Sequence, residues 1–329
     1  MQCGIIHIKQ FQESNAMNKK KNRKIKNRNS GKAYRFSFFI ALSIFLSTII
    51  ITSIYLNLTE SPERIYVSLP YKTDELNQIL YRDKIIPVHK EVELNKYDKN
   101  SFYMSGDRMG YDDGQVKSIF GIDVSEFQGN IDWQKVKNDG VEFAMLRAGF
   151  RGYGSGVINI DGEFLNNLKE ARNNNIDVGV YFYSQAISVE EAREEARVVI
   201  GWLMNYDIQY PVVFDWEFTG DPIARTENID PSVLNDCANA FCQEIANAGY
   251  TPIIYFYRDL AYLYYDLSKI NSYDFWLAEY NEIPTFHYDF KMLQFTNKGR
   301  IDGIHEGKDD VDLNISFIDY SRQTFSELN

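Results

Sequence analysis

A (β/α) barrel of the α/β class is the fold this sequence predicts, on three observations. From Ile119 onward, short continuously apolar runs alternate with amphipathic stretches, the pattern of a parallel sheet covered on both faces. Seven or eight such strands fall within about 210 residues, which suits a closed barrel better than an open doubly wound sheet. No G-x-G-x-x-G opens the first βα unit, which removes the main support for a nucleotide-binding alternative.

The elements follow in order. IFGIDVS (119–125) reads as the first strand, and Trp133 and Val136 begin a helix that Gly140 closes. EFAMLRA (142–148) is the second strand, and Asp161 is placed to cap a helix carrying Phe164, Leu168 and Ala171 at helical spacing. DVGVYFY (177–183) is the third. Ser188 and Glu191 then supply the S-x-x-E of a capping box for a helix over 189–205. PVVFDWE (211–217) is followed by a helix that starts at Asp230 and Pro231 and ends at Gly249. TPIIYFY (251–257), DFWLAEY (274–280) and FKMLQF (290–295) supply further strands.

The chain ahead of the barrel has a different character. Residues 1–58 hold ten Lys and Arg and one acid, so the net charge of −11 hides about −20 on the remainder. Phe36 to Leu56 contains no charged residue and is long enough to cross the roughly 30 Å hydrocarbon core. The expected organisation is a basic cytoplasmic tail (1–35), a single transmembrane signal-anchor helix (36–56), an extracytoplasmic stalk or small subdomain (57–118), and the barrel (119–329). Basic residues before the span place the N-terminus in the cytoplasm and the rest outside the cell membrane. Cleavage as a signal peptide, giving a secreted protein, is the competing reading. Against it stand the length of the apolar run and the lack of an A-x-A-like site. Lys90 to Lys117 is charged and Gly/Asp-rich and reads as linker. An aromatic content of 15% excludes disorder for most of the chain, and three cysteines exclude a disulfide scaffold. The acidic remainder argues against nucleic acid as a partner.

The chemistry lies at the strand ends, where a barrel builds its active site. Those ends carry Asp123, Arg147, Tyr181, Tyr183, Asp215, Glu217, Tyr255, Tyr257, Trp276, Glu279, Tyr280 and Gln294. Asp215 and Glu217 are two apart on a strand and share a face. Two carboxyls held close in an aromatic pocket cannot easily both ionise, which leaves a general acid beside an ionised partner, the equipment of glycoside hydrolysis. Tyr and Trp suit sugar faces. The acidic run around Asp309, Asp310, Asp312 and Asn314 lacks the Gly and Glu of a calcium loop, and the four histidines lack metal-ligand spacing.

Several motifs together resemble glycoside hydrolase family 25, the lysozyme-type muramidases: GIDVSEFQGNIDW (121–133), FAMLRAGF (143–150), DGEFLNNLKEA (161–171), VGVYFYSQA (178–186), VVFDWE (212–217), WLAEY (276–280) and MLQFT…IDGI…VDLNIS (292–316). The resemblance covers about residues 119–318, in the family's order. It implies a modified TIM-like (β/α) barrel. It also implies hydrolysis of the β-1,4 bond between N-acetylmuramic acid and N-acetylglucosamine in peptidoglycan, with no metal or organic cofactor. By that resemblance Glu217 is the proton donor. Asp215 stabilises positive charge at the sugar or orients the substrate's N-acetyl group, and Asp123 and Asp312 maintain the charge and hydrogen-bond balance. Tyr181, Trp276 and Tyr280 match positions that line the sugar cleft. Arg147, Tyr183 and Gln294 complete the expected substrate-binding set. Phe127 departs from the family, many members having His or another polar residue there. The implied partners are peptidoglycan glycan strands, with an envelope-spanning secretion or conjugation complex compatible. A catalytically silent wall-binding module is the alternative.

Overall fold

The computed structural model describes residues 78–305 and 310–322. The expected basic tail, the expected span at 36–56 and the first part of the expected stalk lie outside them. Among the described residues no helix is long and apolar enough to cross a membrane.

In chain order, two antiparallel hairpins come first: β1 (Gln78–Tyr81) with β2 (Lys84–Pro87), and β3 (Phe102–Ser105) with β4 (Arg108–Tyr111). The barrel elements follow: β5 (Ile119–Val124), α1 (Trp133–Asn138), β6 (Phe143–Arg151), β7 (Ile158–Ile160), α2 (Phe164–Asn173), β8 (Asp177–Ser184), α3 (Val189–Leu203), β9 (Val212–Trp216), α4 (Pro231–Asn247), β10 (Pro252–Tyr257), α5 (Arg258–Leu263), β11 (Asp274–Ala278), β12 (Met292–Gly299) and β13 (Val311–Ser316). The sheet runs β5-β13-β12-β11-β10-β9-β8-β6 and closes through a β5–β6 pairing, with β7 added as a hairpin on β6. It is an eight-stranded barrel.

One strand departs from the parallel sheet that the sequence predicts. β13 runs antiparallel to both β12 and β5. An antiparallel strand needs no crossover helix between it and its neighbour. Its direction also reverses the usual rule for barrels: the start of β13, not its end, lies at the mouth.

The barrel is filled by a small inner cluster that includes Phe143, Met145, Val213, Ile253, Trp276 and Met292. Phe143 stacks on Tyr210 with centroids 4.4 Å apart. Two glycines make room on the inner wall. A Cβ at Gly121 would lie 2.4 Å from the Phe143 ring, and one at Gly179 would lie 2.7 Å from the Met145 side chain. A larger cluster packs the outer strand faces against the helices, joining Phe182, Val199 and Leu203 with Phe214, Phe241 and Ile245. Each large apolar side chain buried there contributes about 1.5–3 kcal/mol, which makes the barrel a stiff support for whatever its rim carries.

Helix boundaries follow local chemistry, with one correction. α4 starts as read: Asp230 accepts the Ser232 N–H, and Pro231 occupies the first turn. At α3 the Ser188 hydroxyl accepts from the Glu191 N–H, while the Glu191 carboxylate turns to the Ile187 N–H and to Arg225. Asp161 braces the start of α2 as read: its Oδ1 accepts from the Glu163 N–H at 3.0 Å and its carbonyl from the Phe164 N–H at 3.2 Å, while its Oδ2 accepts from the Glu126 N–H and from Arg147.

Lys90 to Lys117 is not linker. Val92, Met109 and Tyr111 are buried, and Tyr97 stacks on Phe317 at 3.9 Å while its hydroxyl donates to the Phe290 carbonyl at 2.7 Å. Phe290 precedes β12 and Phe317 follows β13, so this segment covers the end of the barrel opposite the mouth. Aromatic anchors spaced along a polar sequence show no period, which is why composition alone reads them as spacer.

Candidate active site

A cleft of about 320 Å³ opens at the mouth. It brings together all ten residues the sequence singles out as site residues: Asp123, Arg147, Tyr181, Tyr183, Asp215, Glu217, Trp276, Tyr280, Gln294 and Asp312. Tyr255, Phe127, Ser125, Gln128 and Asn297 line it as well.

Register explains the convergence. On one side Asp215 lies opposite Tyr183 of β8 and Tyr255 of β10, and Tyr255 lies opposite Trp276 of β11. On the other, Asp312 of β13 lies directly opposite Asp123 of β5. Cross-strand neighbours stand about 4.5–5.5 Å apart at Cβ, so these two carboxyls meet by construction. Asp215 and Glu217 meet because alternate residues leave β9 on the same face. The four acids therefore form two pairs.

Asp123 is a hydrogen-bond hub. Its Oδ2 accepts from Gln294 Nε2 at 2.8 Å and from Asn314 Nδ2 at 2.7 Å. The Gln294 Oε1 accepts from the hydroxyls of Tyr280 at 2.8 Å and Tyr255 at 3.2 Å. The Asn314 Oδ1 accepts from Trp276 Nε1 at 2.9 Å. Each amide is thereby fixed in orientation with its NH₂ toward Asp123. Asn314 was not among the predicted site residues. V-D-x-N on a strand puts Asp312 and Asn314 on one face, and that strand is what would identify Asn314 beside Asp123.

Electrostatics separates the pairs. Burial pushes Asp123 up, while the bonds from Asn314, Gln294 and Asp312 pull it back. Asp312 is pushed up to about 9, by burial first and then by the charge of Asp123. Burial and mutual repulsion therefore oppose ionising both members of this pair at once. In the other pair, burial pushes Glu217 up to about 7, aided by the charge of Asp123 and opposed by a hydrogen bond from Asp215. Asp215 is pushed well up by burial, then by Glu217 and Asp123, with Arg147 pulling the other way. Its Oδ1 is buried and has no hydrogen-bond partner among the described residues. An unpartnered buried carboxyl oxygen costs free energy, on the order of 1–3 kcal/mol, and points to an atom that meets its partner only when substrate arrives.

Supporting groups hold this geometry. Arg147 donates from Nε to Asp161 at 2.8 Å and from Nη2 to Glu126 at 3.0 Å, with its guanidinium 4.7 Å from the centroid of the exposed Phe127 ring. Buried Gln185 donates to the Glu217 carbonyl at 2.8 Å and accepts from Thr226 at 2.7 Å, tying the backbone of Glu217 to the loop beyond it. Glu279, at a strand end, turns instead to its own loop, accepting from Thr285, Phe286 and Asn281 and pairing with Arg258. Among the described residues no group of three or more His, Cys, Asp or Glu side chains is arranged to hold a metal ion.

Known proteins share this architecture. The sequence profile of Glycosyl hydrolases family 25 matches residues 122–304. The autolytic lysozyme of Clostridium acetobutylicum is 25% identical over 195 residues, 58% of this chain and 54% of its own length. The uncharacterized protein YegX of Escherichia coli K12 is 28% identical over 212 residues, 60% of this chain and 69% of its own. The fold is also that of the spore cortex lytic enzyme SleM of Clostridium perfringens, with a TM-score of 0.54 and 23% identity over 62% of this chain and 68% of that one.

Proposed function

The chain belongs to glycosyl hydrolases family 25, and from that premise we propose that it is a peptidoglycan muramidase. It cleaves the β-1,4 bond between N-acetylmuramic acid and N-acetylglucosamine. The observation that carries this reading is the buried Asp215–Glu217 pair in an aromatic cleft, with one Asp215 oxygen left without a partner among the described residues.

Glycosidic cleavage needs a proton on the departing oxygen and negative charge beside the carbon that turns positive. Glu217, held up to about 7, supplies the proton near neutral pH. Asp215 stabilises the oxocarbenium-like centre or orients the substrate's N-acetyl group. Burial and the acidic neighbours of Asp215 oppose its ionisation, while Arg147 favours it. Positive charge growing at the sugar offsets that opposition. It favours an ionised Asp215 beside a Glu217 that still carries the proton. Beyond burial, the charge of Asp123 helps to hold the Glu217 carboxyl up. All four acids meet in one cleft, which favours the enzyme over a silent wall-binding module.

Anchoring by residues 36–56, with the barrel facing the wall, completes the proposal. Fractionation tests it: activity stays with membranes if the segment anchors the chain and is released if it is cleaved. The activity is tested by incubating the full chain and its Glu217→Gln variant with purified peptidoglycan. New reducing ends from the wild type alone support the reading, and none from either rejects it.

A further inference from the structure

A second pocket of about 400 Å³ adjoins the catalytic cleft, and Glu217, Tyr255 and Tyr280 line both. Asp215 lines only the first of the two. A general acid stands at the oxygen between two sugars, whereas the charge-stabilising carboxylate serves the sugar whose anomeric carbon turns positive. With Glu217 on the boundary and Asp215 to one side of it, the second pocket lies where the departing sugar must sit. This step rests on the muramidase reading.

The outer wall of that pocket comes from the start of the described chain. Tyr81 and Arg82, at the tip of the β1–β2 hairpin, line it, although they precede the family-matched segment. The tip is a two-residue turn with Arg82 and Asp83 both at positive φ, 46° and 61°. It is latched onto the barrel. The Tyr81 hydroxyl donates to Asp259, and Arg82 pairs with the same carboxylate. The Tyr81 ring packs 4.8 Å from Tyr262 and lies 4.9 Å below the Arg258 guanidinium.

Arg82 with Asp259 and Arg258 with Glu279 form two charge pairs around the pocket. The charges cancel, leaving a wall of tyrosine faces and guanidinium donors that is polar but close to neutral. That chemistry fits an uncharged N-acetylhexosamine better than an acidic sugar. It matches the N-acetylglucosamine that leaves in muramidase cleavage.

We propose that Tyr81 and Arg82 complete the leaving-group side of the cleft and position an N-acetylhexosamine there. A segment ahead of the barrel thereby sets how firmly the departing end of the glycan is held.

The test uses the full chain as wild type, Arg82→Ala and Asp259→Asn, the last releasing the latch from the barrel side. Each is assayed on soluble glycan strands and on a glycosyl fluoride of the same donor sugar, whose one-atom leaving group does not reach the second pocket. Both variants should lose kcat/KM on glycan relative to the fluoride by on the order of tenfold, the scale of one charge-assisted hydrogen bond. An unchanged ratio of the two substrates, beside an active wild type, overturns this inference and leaves the muramidase reading standing. A wild type that cleaves no glycan overturns both.

Discussion

Glu195 and Asp215 are both buried acids on the same barrel, and burial raises the carboxyl of each. Their surroundings differ. Glu195 of α3 accepts from Arg151 Nε at 2.6 Å and from the Ser184 hydroxyl at 2.6 Å, so both of its oxygens are occupied. Asp215 has an oxygen with no partner among the described residues and faces a cleft. A raised pKa therefore does not by itself mark chemistry. Polar satisfaction separates a structural carboxyl, hydrogen-bonded at both oxygens, from one that faces a cleft with an oxygen to spare.

The sharpest way to break this contrast is to change one acid on each side of it. Glu217→Gln should lower the rate of glycan cleavage by roughly 10²–10⁴-fold or more, the range of general-acid catalysis. Its urea unfolding midpoint should not fall, since the variant removes a carboxyl that burial already opposes. Glu195→Ala should do the reverse. It leaves Arg151 buried without its closest partner and costs about 3–5 kcal/mol in urea unfolding, while activity per folded molecule persists.

Proton linkage sharpens the same comparison. Glu195 is held up to about 7 in the folded chain, above the ordinary carboxylate range. Between those two values the folded state keeps a proton that the unfolded chain has lost. Stability is therefore fully present in acid and declines as pH rises through about 7. Glu195→Gln should flatten that decline in a series of unfolding curves. For the cleft, the charge of Asp123 helps to hold Glu217 up. Asp123→Asn should move the alkaline limb of the residual activity to lower pH. The smallest expected effect belongs to Gln185→Leu, which frees the Glu217 carbonyl and should lower kcat by roughly tenfold with KM nearly unchanged, the loss of one positioning hydrogen bond.

Much of the barrel was legible in the sequence because parallel strands buried on both faces read as uninterrupted apolar runs. PVVFDWE is the clearest, since an acid within five fully buried positions has few structural excuses. β13 was not legible in the same way. VDLNIS alternates polar and apolar residues, and as the antiparallel strand it places its acid at the beginning rather than the end. Asp312 came from family resemblance, and Asn314 was missed with it. The hairpin tip at Tyr81 and Arg82 could not be seen at all, because its partners Asp259 and Tyr262 lie nearly 180 residues away in the sequence.

The central claim is that Glu217 and Asp215 cleave the bond on the reducing side of N-acetylmuramic acid. Mass analysis of the fragments that the full chain releases from purified peptidoglycan tests it most directly. Fragments that carry N-acetylmuramic acid at their new reducing ends are the predicted result; N-acetylglucosamine at those ends would contradict it.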